Sequence, residues 1–195
     1  MNIIGMIRES LVMEGRTKPL YRPFFALKPP PVVARQIDHF AATLAPEADR
    51  ILPDHQHVTL GITTDWPDYP YELIKALRRA AAGIMAEPFD LMMDAVHVGG
   101  RSAALRPSRS IAGLKTVQQQ VAAAMARAGA TPRPGWTFSP HQTLFYSDAR
   151  PSQQRIDGFS WHVDEVVLIC SHVGRTRHEI LGSWPLKGDA QYRLF

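Results

Sequence analysis

Cysteine is almost missing from this chain of 195 residues, which contains only Cys170. A single cysteine excludes an intramolecular disulfide and is typical of a protein in a reducing compartment. Cys170 lies in an apolar, strand-like run, so we expect a buried thiol rather than a nucleophile. No stretch approaches 18 apolar residues and no secretory signal is recognised, so the sequence predicts a cytoplasmic protein that does not contact a membrane.

The glycine-rich phosphate-binding motifs are also missing. Neither Gly-x-Gly-x-x-Gly nor Gly-x-x-x-x-Gly-Lys-Ser/Thr occurs, which removes the usual support for dinucleotide binding and for hydrolysis of nucleoside triphosphates. The excess of positive over negative charge is small: 22 Lys and Arg against 18 Asp and Glu give a formal charge of +4. This excess favours an anionic ligand, and a few arginines near a site would be enough to attract a phosphate.

The chain does contain a short phrase that occurs twice, His57-Val58-Thr59-Leu60 and His141-Gln142-Thr143-Leu144. In a β-strand, residues i and i+2 point to the same face, so each phrase presents an imidazole and a hydroxyl together. One imidazole can accept a proton while the other donates one, and the two hydroxyls can bind an oxyanion. This combination suits in-line cleavage of a phosphodiester or a cyclic phosphate.

Each phrase follows a similar order of predicted elements. A strand at 24–27 and a helix from 31 to about 44 precede the first phrase. A strand at 103–105 and a helix from about 110 to 128 precede the second. The order strand, helix, His-x-Thr strand therefore occurs twice, which predicts two lobes with a cleft between them. Apolar patterning adds a helix at 71–85 and a strand at 89–98.

These residues resemble the 2H phosphoesterase superfamily, and within it the 2'-5' RNA ligase-like or RNA 2',3'-cyclic phosphodiesterase branch. Members carry two His-x-Thr/Ser motifs, one on each lobe of a bilobal fold. The resemblance covers about Tyr21 to Leu186 and includes the opening strand at 22–27, the second motif at 139–144 and a closing pair of strands at 163–171 and 178–186. One difference is that many relatives carry an arginine shortly after the second motif, where this chain reads Phe145-Tyr146-Ser147.

The resemblance implies an α+β fold that is bilobal, with two pseudo-symmetric antiparallel-sheet lobes, helices packed outside and a central cleft. It implies one domain over residues 21–195, after an N-terminal extension of residues 1–20. The implied activity is a metal-independent phosphodiesterase that opens 2',3'-cyclic phosphate RNA ends to 2'-phosphates, the reverse of 2'-5' RNA ligation. No cofactor or metal is expected, and the protein is expected to be a monomer whose partners are RNA ends or a small cyclic nucleotide.

The site residues follow from the repeated phrase and the resemblance together. We expect His57 and His141 to be the catalytic acid and base, with their order left open. Thr59 and Thr143 are expected to bind the substrate's phosphate oxygens. Phe25 and Tyr146 are candidates for stacking on a base, although core packing is the more common use of a residue such as Phe25.

Two other functions remain open on sequence grounds. A small nucleotide, such as an ADP-ribose cyclic phosphate or a 2'-5' oligoadenylate, is the first alternative, because the arginine after the second motif is missing. The second is an RNA-end-binding module without turnover, which two intact motifs disfavour. A metal site at His55 and His57 is a weaker hypothesis, because no cysteine or carboxylate pattern completes the set of ligands.

Overall fold

The structure is a computed structural model that describes residues 20–146 and 150–188. The predicted extension at residues 1–20 lies outside this part of the chain, except for Leu20, which begins the first strand. In chain order the elements are β1 (Leu20–Leu27), α1 (Pro31–Leu44), β2 (Asp49–Arg50), a 3₁₀ turn (Pro53–His55), β3 (Val58–Ile62), α2 (Tyr71–Ala81), β4 (Phe89–Val98), β5 (Ser102–Arg106), α3 (Ala112–Arg127), β6 (Gln142–Tyr146), β7 (Ser152–Val163), β8 (Glu165–Val173) and β9 (Arg177–Pro185).

The strands form two antiparallel sheets. Sheet A has the order β3-β1-β8-β9, and sheet B has the order β2-β6-β5-β4-β7. The predicted α+β architecture with two sheet lobes is confirmed. The long strand β7 was not predicted as one element. Its first four residues are polar and all exposed, whereas its end, Phe159 to Val163, alternates apolar and polar residues.

The helices follow the 3.6-residue period of their apolar side chains. Pro31 occupies the first turn of α1, where its missing N–H leaves no bond unmade, and the helix buries Ala34, Ile37 and Ala41. Helix α2 ends at Ala81 rather than at 85, because the chain turns at Gly83 and places Ile84 in the core. None of the described helices is long and apolar enough to cross a bilayer.

The two long helices that precede the motifs pack on the sheet of the opposite half. Helix α1 contacts β6 and β7 of sheet B, whereas α3 contacts β3 of sheet A. The approach of α3 is close, since a Cβ added at Gly61 on β3 would lie 2.5 Å from the Met125 sulfur. Each motif-bearing strand is therefore supported by a helix from the other half of the repeat.

Cys170 lies in the middle of β8 and is fully buried. Burial raises the pKa of its thiol to about 11. The thiol is therefore protonated at neutral pH, and the expectation of a buried core cysteine is confirmed.

Candidate active site

The histidines of the two motifs occupy matching positions in the two sheets. His57 precedes β3, and His141 precedes β6. The Nδ1 of His57 lies 2.6 Å from the carbonyl oxygen of His55, and the Nδ1 of His141 lies 2.7 Å from that of Ser139. Because a carbonyl oxygen only accepts hydrogen bonds, we assign the hydrogen to Nδ1 in both rings. The Nε2 atom of each ring is then available for proton transfer.

A basic side chain donates a hydrogen bond to the turn before each motif histidine. Lys28, directly after β1, donates from Nζ to the carbonyl oxygen of Asp54 at 2.6 Å. Arg106, at the end of β5, donates from Nη1 to the hydroxyl of Ser139 at 2.6 Å. In each half, a basic residue at the end of the strand before the long helix hydrogen-bonds to the turn that precedes the motif histidine. A carbonyl of the same turn accepts the hydrogen bond from the imidazole. The internal repeat therefore extends beyond the two His-x-Thr phrases.

Two buried glutamines join the motif strands to each other. Gln142 follows His141 directly, and its amide donates to Oε1 of Gln56, which precedes His57, at 3.0 Å. The Gln56 amide in turn donates to the carbonyl oxygen of Ala34 on α1 at 3.1 Å. Both glutamine side chains are excluded from solvent. This chain of hydrogen bonds joins the residue before His57 to the residue after His141.

A cleft of about 330 Å³ lies between the motif strands. His57 lines it from sheet A, and Thr143 and Tyr146 line it from sheet B. Thr59 is half-buried and alternates with the core residues Val58 and Leu60, so it shares its strand face with His57. The other residues that line the cleft include Arg22, His55, Ser171, Arg177 and His178.

This geometry can be compared with known proteins. The model of the 2'-5' RNA ligase superfamily matches residues 29–175. The chain belongs to the 2'-5' RNA ligase superfamily. The resemblance to 2H phosphoesterases seen in the repeated phrase is thereby confirmed, and the chain is a member of a superfamily of phosphoesterases and ligases.

Solved structures are similar to this superfamily member over most of its length. A crystal structure of a phosphoesterase has a TM-score of 0.71 and 27% identity, over 87% of this chain and 99% of that one. Escherichia coli LigT with 3'-AMP gives 0.71 and 25% over the same shares, and LigT has also been solved with ATP and with NADP+. TT0787 of Thermus thermophilus, at 0.69 and 19% over 86% and 99%, shares the fold. No curated protein matches the sequence significantly.

Phe25 does not reach the cleft of this superfamily member, so its predicted role in base stacking is wrong. Its ring is fully buried in the main core, with its centroid 6.2 Å from that of Trp184. The neighbouring Phe24 points to the opposite face of β1, where its ring lies 4.9 Å from the His57 ring. Phe24 thus packs beneath the imidazole, whereas Tyr146, a residue that is 58% exposed, lines the cleft.

His55 and His178 join His57 at the cleft; the sequence analysis considered His55 only as a metal ligand and did not predict His178. The His178 ring on β9 lies 4.7 Å from His55 and 5.4 Å from His57, measured between centroids. The buried Nδ1 of His178 has no hydrogen-bond partner among the described residues. The spacing along the chain gives no sign of this cluster, because the β8–β9 hairpin brings His178 to the cleft.

The environment of His57 disfavours its charged form. Burial is the main cause, and the positive charges of Lys28 and His141 add to it, so the pKa of His57 is lowered to about 4. Burial and the neighbouring His57 likewise lower the pKa of His178 to about 4. Both rings are therefore neutral at pH 7.

The hypothesis of a metal site at His55 and His57 gains no third ligand from the fold. Across residues 20–146 and 150–188, no group of three His, Cys, Asp or Glu side chains is gathered at a distance suited to one ion. A direct test of the pair as metal ligands is the response of the activity to chelation.

The glutamine pair gives a prediction on stability. Gln142→Leu removes the donor to Gln56 and leaves the Gln56 Oε1 atom buried without a partner. We expect the free energy of unfolding to fall by about 1–3 kcal/mol, measured by urea denaturation. Gln36→Leu, an exposed change on α1, is the matched control and should shift stability by less than about 0.5 kcal/mol. Equal stability of the two variants would show that the glutamine bridge contributes nothing.

Proposed function

We propose that this protein is a metal-independent phosphodiesterase that opens 2',3'-cyclic phosphates at RNA ends to 2'-phosphates. The observation that carries the proposal is the matched pair of imidazoles, each donating from Nδ1 to a main-chain carbonyl two residues earlier. Such a pair supplies two Nε2 atoms of fixed tautomer, one for each proton that the reaction moves.

The proposed order of roles follows from the environment of the two rings. His57, held neutral by burial, takes a proton from water as the water oxygen attacks phosphorus. The bond between phosphorus and the ribose 3'-oxygen breaks, and His141 donates a proton to that oxygen. The product carries a 2'-phosphate and a 3'-hydroxyl. Thr59 and Thr143 donate hydrogen bonds to the non-bridging oxygens as negative charge grows there.

Arg177 is the proposed cation for the phosphate. Among the described residues, the guanidinium groups that line the cleft are those of Arg22 and Arg177. Arg22 forms a two-bond pair with Asp65, with Nη2 at 2.8 Å from Oδ2, so its charge is neutralised. Arg177 is exposed and has no carboxylate partner in the described part of the chain. A free guanidinium matches the geometry of a phosphate and replaces the arginine that this sequence lacks after its second motif.

The proposal is tested by incubating the purified protein, after exhaustive treatment with EDTA, with three classes of substrate. These are RNA ending in a 2',3'-cyclic phosphate, 2',3'-cyclic mononucleotides and ADP-ribose cyclic phosphate. Chromatography should show formation of 2'-phosphate ends on RNA. Loss of turnover on chelation, restored by a divalent ion, would instead favour His55 and His57 as metal ligands. Binding of RNA ends without any turnover would instead indicate that the protein is an RNA-end-binding module without catalytic activity.

A second candidate function is hydrolysis of a small nucleotide, and the size of the cleft favours it. At about 330 Å³, the cleft lies at the lower end of the range for small-molecule pockets, about 300–1,000 Å³. Escherichia coli LigT, which shares the fold, has been solved with 3'-AMP and with ATP. Faster turnover of ADP-ribose cyclic phosphate than of RNA ends would favour this candidate.

The low pKa of His57 gives a prediction on pH. A base must be neutral to accept a proton, so its activity is lost as the pH falls through its pKa in the free enzyme. Because that pKa is lowered to about 4, the acidic limb of the kcat/KM profile should lie near pH 4. Lys28→Met removes a positive neighbour and should move this limb to higher pH. An acidic limb near pH ~6.5, the value of an unperturbed imidazole, would argue against His57 as the base.

A further inference from the structure

A second and larger concavity lies beside the cleft, between helix α2 and strand β9. Its volume is about 1,000 Å³, roughly three times that of the cleft. Strand β9 is the last strand of sheet A, and α2 packs against it. We call this concavity the α2–β9 groove, and the residues that characterise it are Tyr69, Tyr71, Lys75, Arg78, Arg79 and Trp184.

The helix side of the groove carries one aromatic ring followed by three cations. Tyr71, Lys75 and the pair Arg78 and Arg79 are spaced one helical turn apart, so they project from one exposed face of α2. Tyr71 is 73% exposed, and its ring lies 4.6 Å from that of Tyr69. None of the three cations has a carboxylate partner in the described part of the chain.

Two carboxylates also line the groove, so its three cations are in excess by one charge. Glu179 accepts a hydrogen bond from Tyr69, which also lines the groove, at 3.2 Å and lies 3.4 Å from the Nε2 of His172. Glu72 is exposed at the first turn of α2. The exposed face of α2 therefore combines an excess of positive charge with the exposed ring of Tyr71, the combination on which the backbone and the bases of a single strand bind.

The groove and the cleft meet along β9. Arg177 and His178 line the cleft, and the next residues, Glu179 and Ile180, line the groove. Because successive side chains of a strand point to opposite faces and β9 is an edge strand, a polymer that leaves the cleft reaches the groove by passing round this edge of sheet A. This continuity distinguishes the groove from an unrelated surface patch.

We propose that the α2–β9 groove binds the single-stranded RNA that leads away from the cyclic phosphate in the cleft. The inference rests on the proposed function, because it takes the cleft as the place of the RNA end. Lys75, Arg78 and Arg79 contact the phosphates of the strand, and Tyr71 stacks on a base. The cleft alone accommodates a nucleotide, whereas the groove selects a polymer.

The test separates a long substrate from a short one. The triple variant Lys75→Gln, Arg78→Gln, Arg79→Gln is compared with the parent on an RNA of about 10 nucleotides with a 2',3'-cyclic end, and on a 2',3'-cyclic mononucleotide. We expect kcat/KM on the RNA to fall by about 10- to 1,000-fold, because three phosphate contacts are lost. Turnover of the mononucleotide should be unchanged. The control Arg35→Gln, Arg101→Gln, Lys115→Gln removes the same charge from exposed positions elsewhere and should behave as the parent.

A binding measurement does not depend on turnover. Fluorescence anisotropy with a labelled RNA of about 10 nucleotides ending in a 3'-hydroxyl should show a flatter salt dependence for the triple variant, by about 2 in the slope of log K against log salt, at about 0.7 for each lost contact. Tyr71→Ala should weaken binding by about 5- to 100-fold, and Tyr71→Phe should keep the affinity of the parent.

The outcomes distinguish the two proposals. Absence of turnover on every substrate would contradict the proposed function, while the anisotropy measurements would still report on the groove. If both substrates are turned over and the triple variant binds RNA as tightly as the parent, the inference about the groove is wrong while the proposed function stands. The groove would then be a candidate site for a protein partner.

Discussion

Replacing either motif histidine should remove most of the activity. His57→Ala and His141→Ala are each expected to lower kcat on a 2',3'-cyclic phosphate by about 100- to 10,000-fold, because each removes one of two proton transfers. The double variant should be little slower than either single variant, since groups that act as a unit do not contribute additively. Initial rates with a 2',3'-cyclic mononucleotide measure this effect.

A loss of activity identifies His57 and His141 as catalytic only if the variants stay folded and if replacing a histidine outside the site has no effect. His39→Ala, at an exposed position on α1, is the matched control and should keep the parental rate. Circular dichroism establishes that the two active-site variants retain the fold. A folded variant of His57 or His141 that keeps the parental rate would disprove the mechanism with two histidines.

The second large effect concerns the threonines. Thr59→Val and Thr143→Val keep the shape of the side chain and delete the hydroxyl, so each should lower kcat by about 10- to 1,000-fold, as loss of an oxyanion donor does in other enzymes. Thr143 lines the cleft, and Thr59 shares its strand face with His57. Stopped-flow or discontinuous assays at saturating substrate give kcat directly.

A matched change tests whether the loss is specific. Thr116→Val deletes an exposed hydroxyl on α3 and should not alter the rate. If both motif variants fold and turn over at the parental rate, the threonines are ordinary strand residues and do not bind the phosphate.

Much of the fold could be predicted because its elements have clear periods. Helix α1 begins and ends where its apolar spacing and its proline indicate. The strand before each motif and the two closing strands were predicted to within a few residues. Strand β7 was missed as one long strand because its first four residues are polar and exposed, and only its end, Phe159 to Val163, alternates apolar and polar residues.

The structure places Phe24, rather than the predicted Phe25, beside the His57 ring for a specific physical reason. Strand β1 is buried on both faces over Phe24 to Leu27, so its sequence is a continuous apolar run without alternation. The pairing with β3 also shifts register between Phe25 and Ala26. In such a strand the sequence cannot indicate which of two adjacent rings faces the cleft. Only the packing of α3 on one face of sheet A decides it.

The remainder of the site depends on contacts between distant parts of the chain. His178 and Arg177 reach the cleft because the β8–β9 hairpin folds back along β1. The bridge between Gln56 and Gln142 likewise joins residues from the two halves of the repeat. Neither residue type carries a local pattern that predicts its partner, so these features follow only from the three-dimensional structure.

The packing of each long helix on the opposite sheet makes the two halves interdependent. A fragment that ends after α2 would expose the face of α1 that β6 and β7 cover, and the complementary fragment would expose the face of α3 that β3 covers. We therefore expect neither fragment to fold alone, and the two fragments to fold together when mixed. Unfolding should be a single cooperative transition, because the lobes cannot separate without breaking both helix contacts. We therefore expect a ligand to enter the cleft without hinge opening of the lobes.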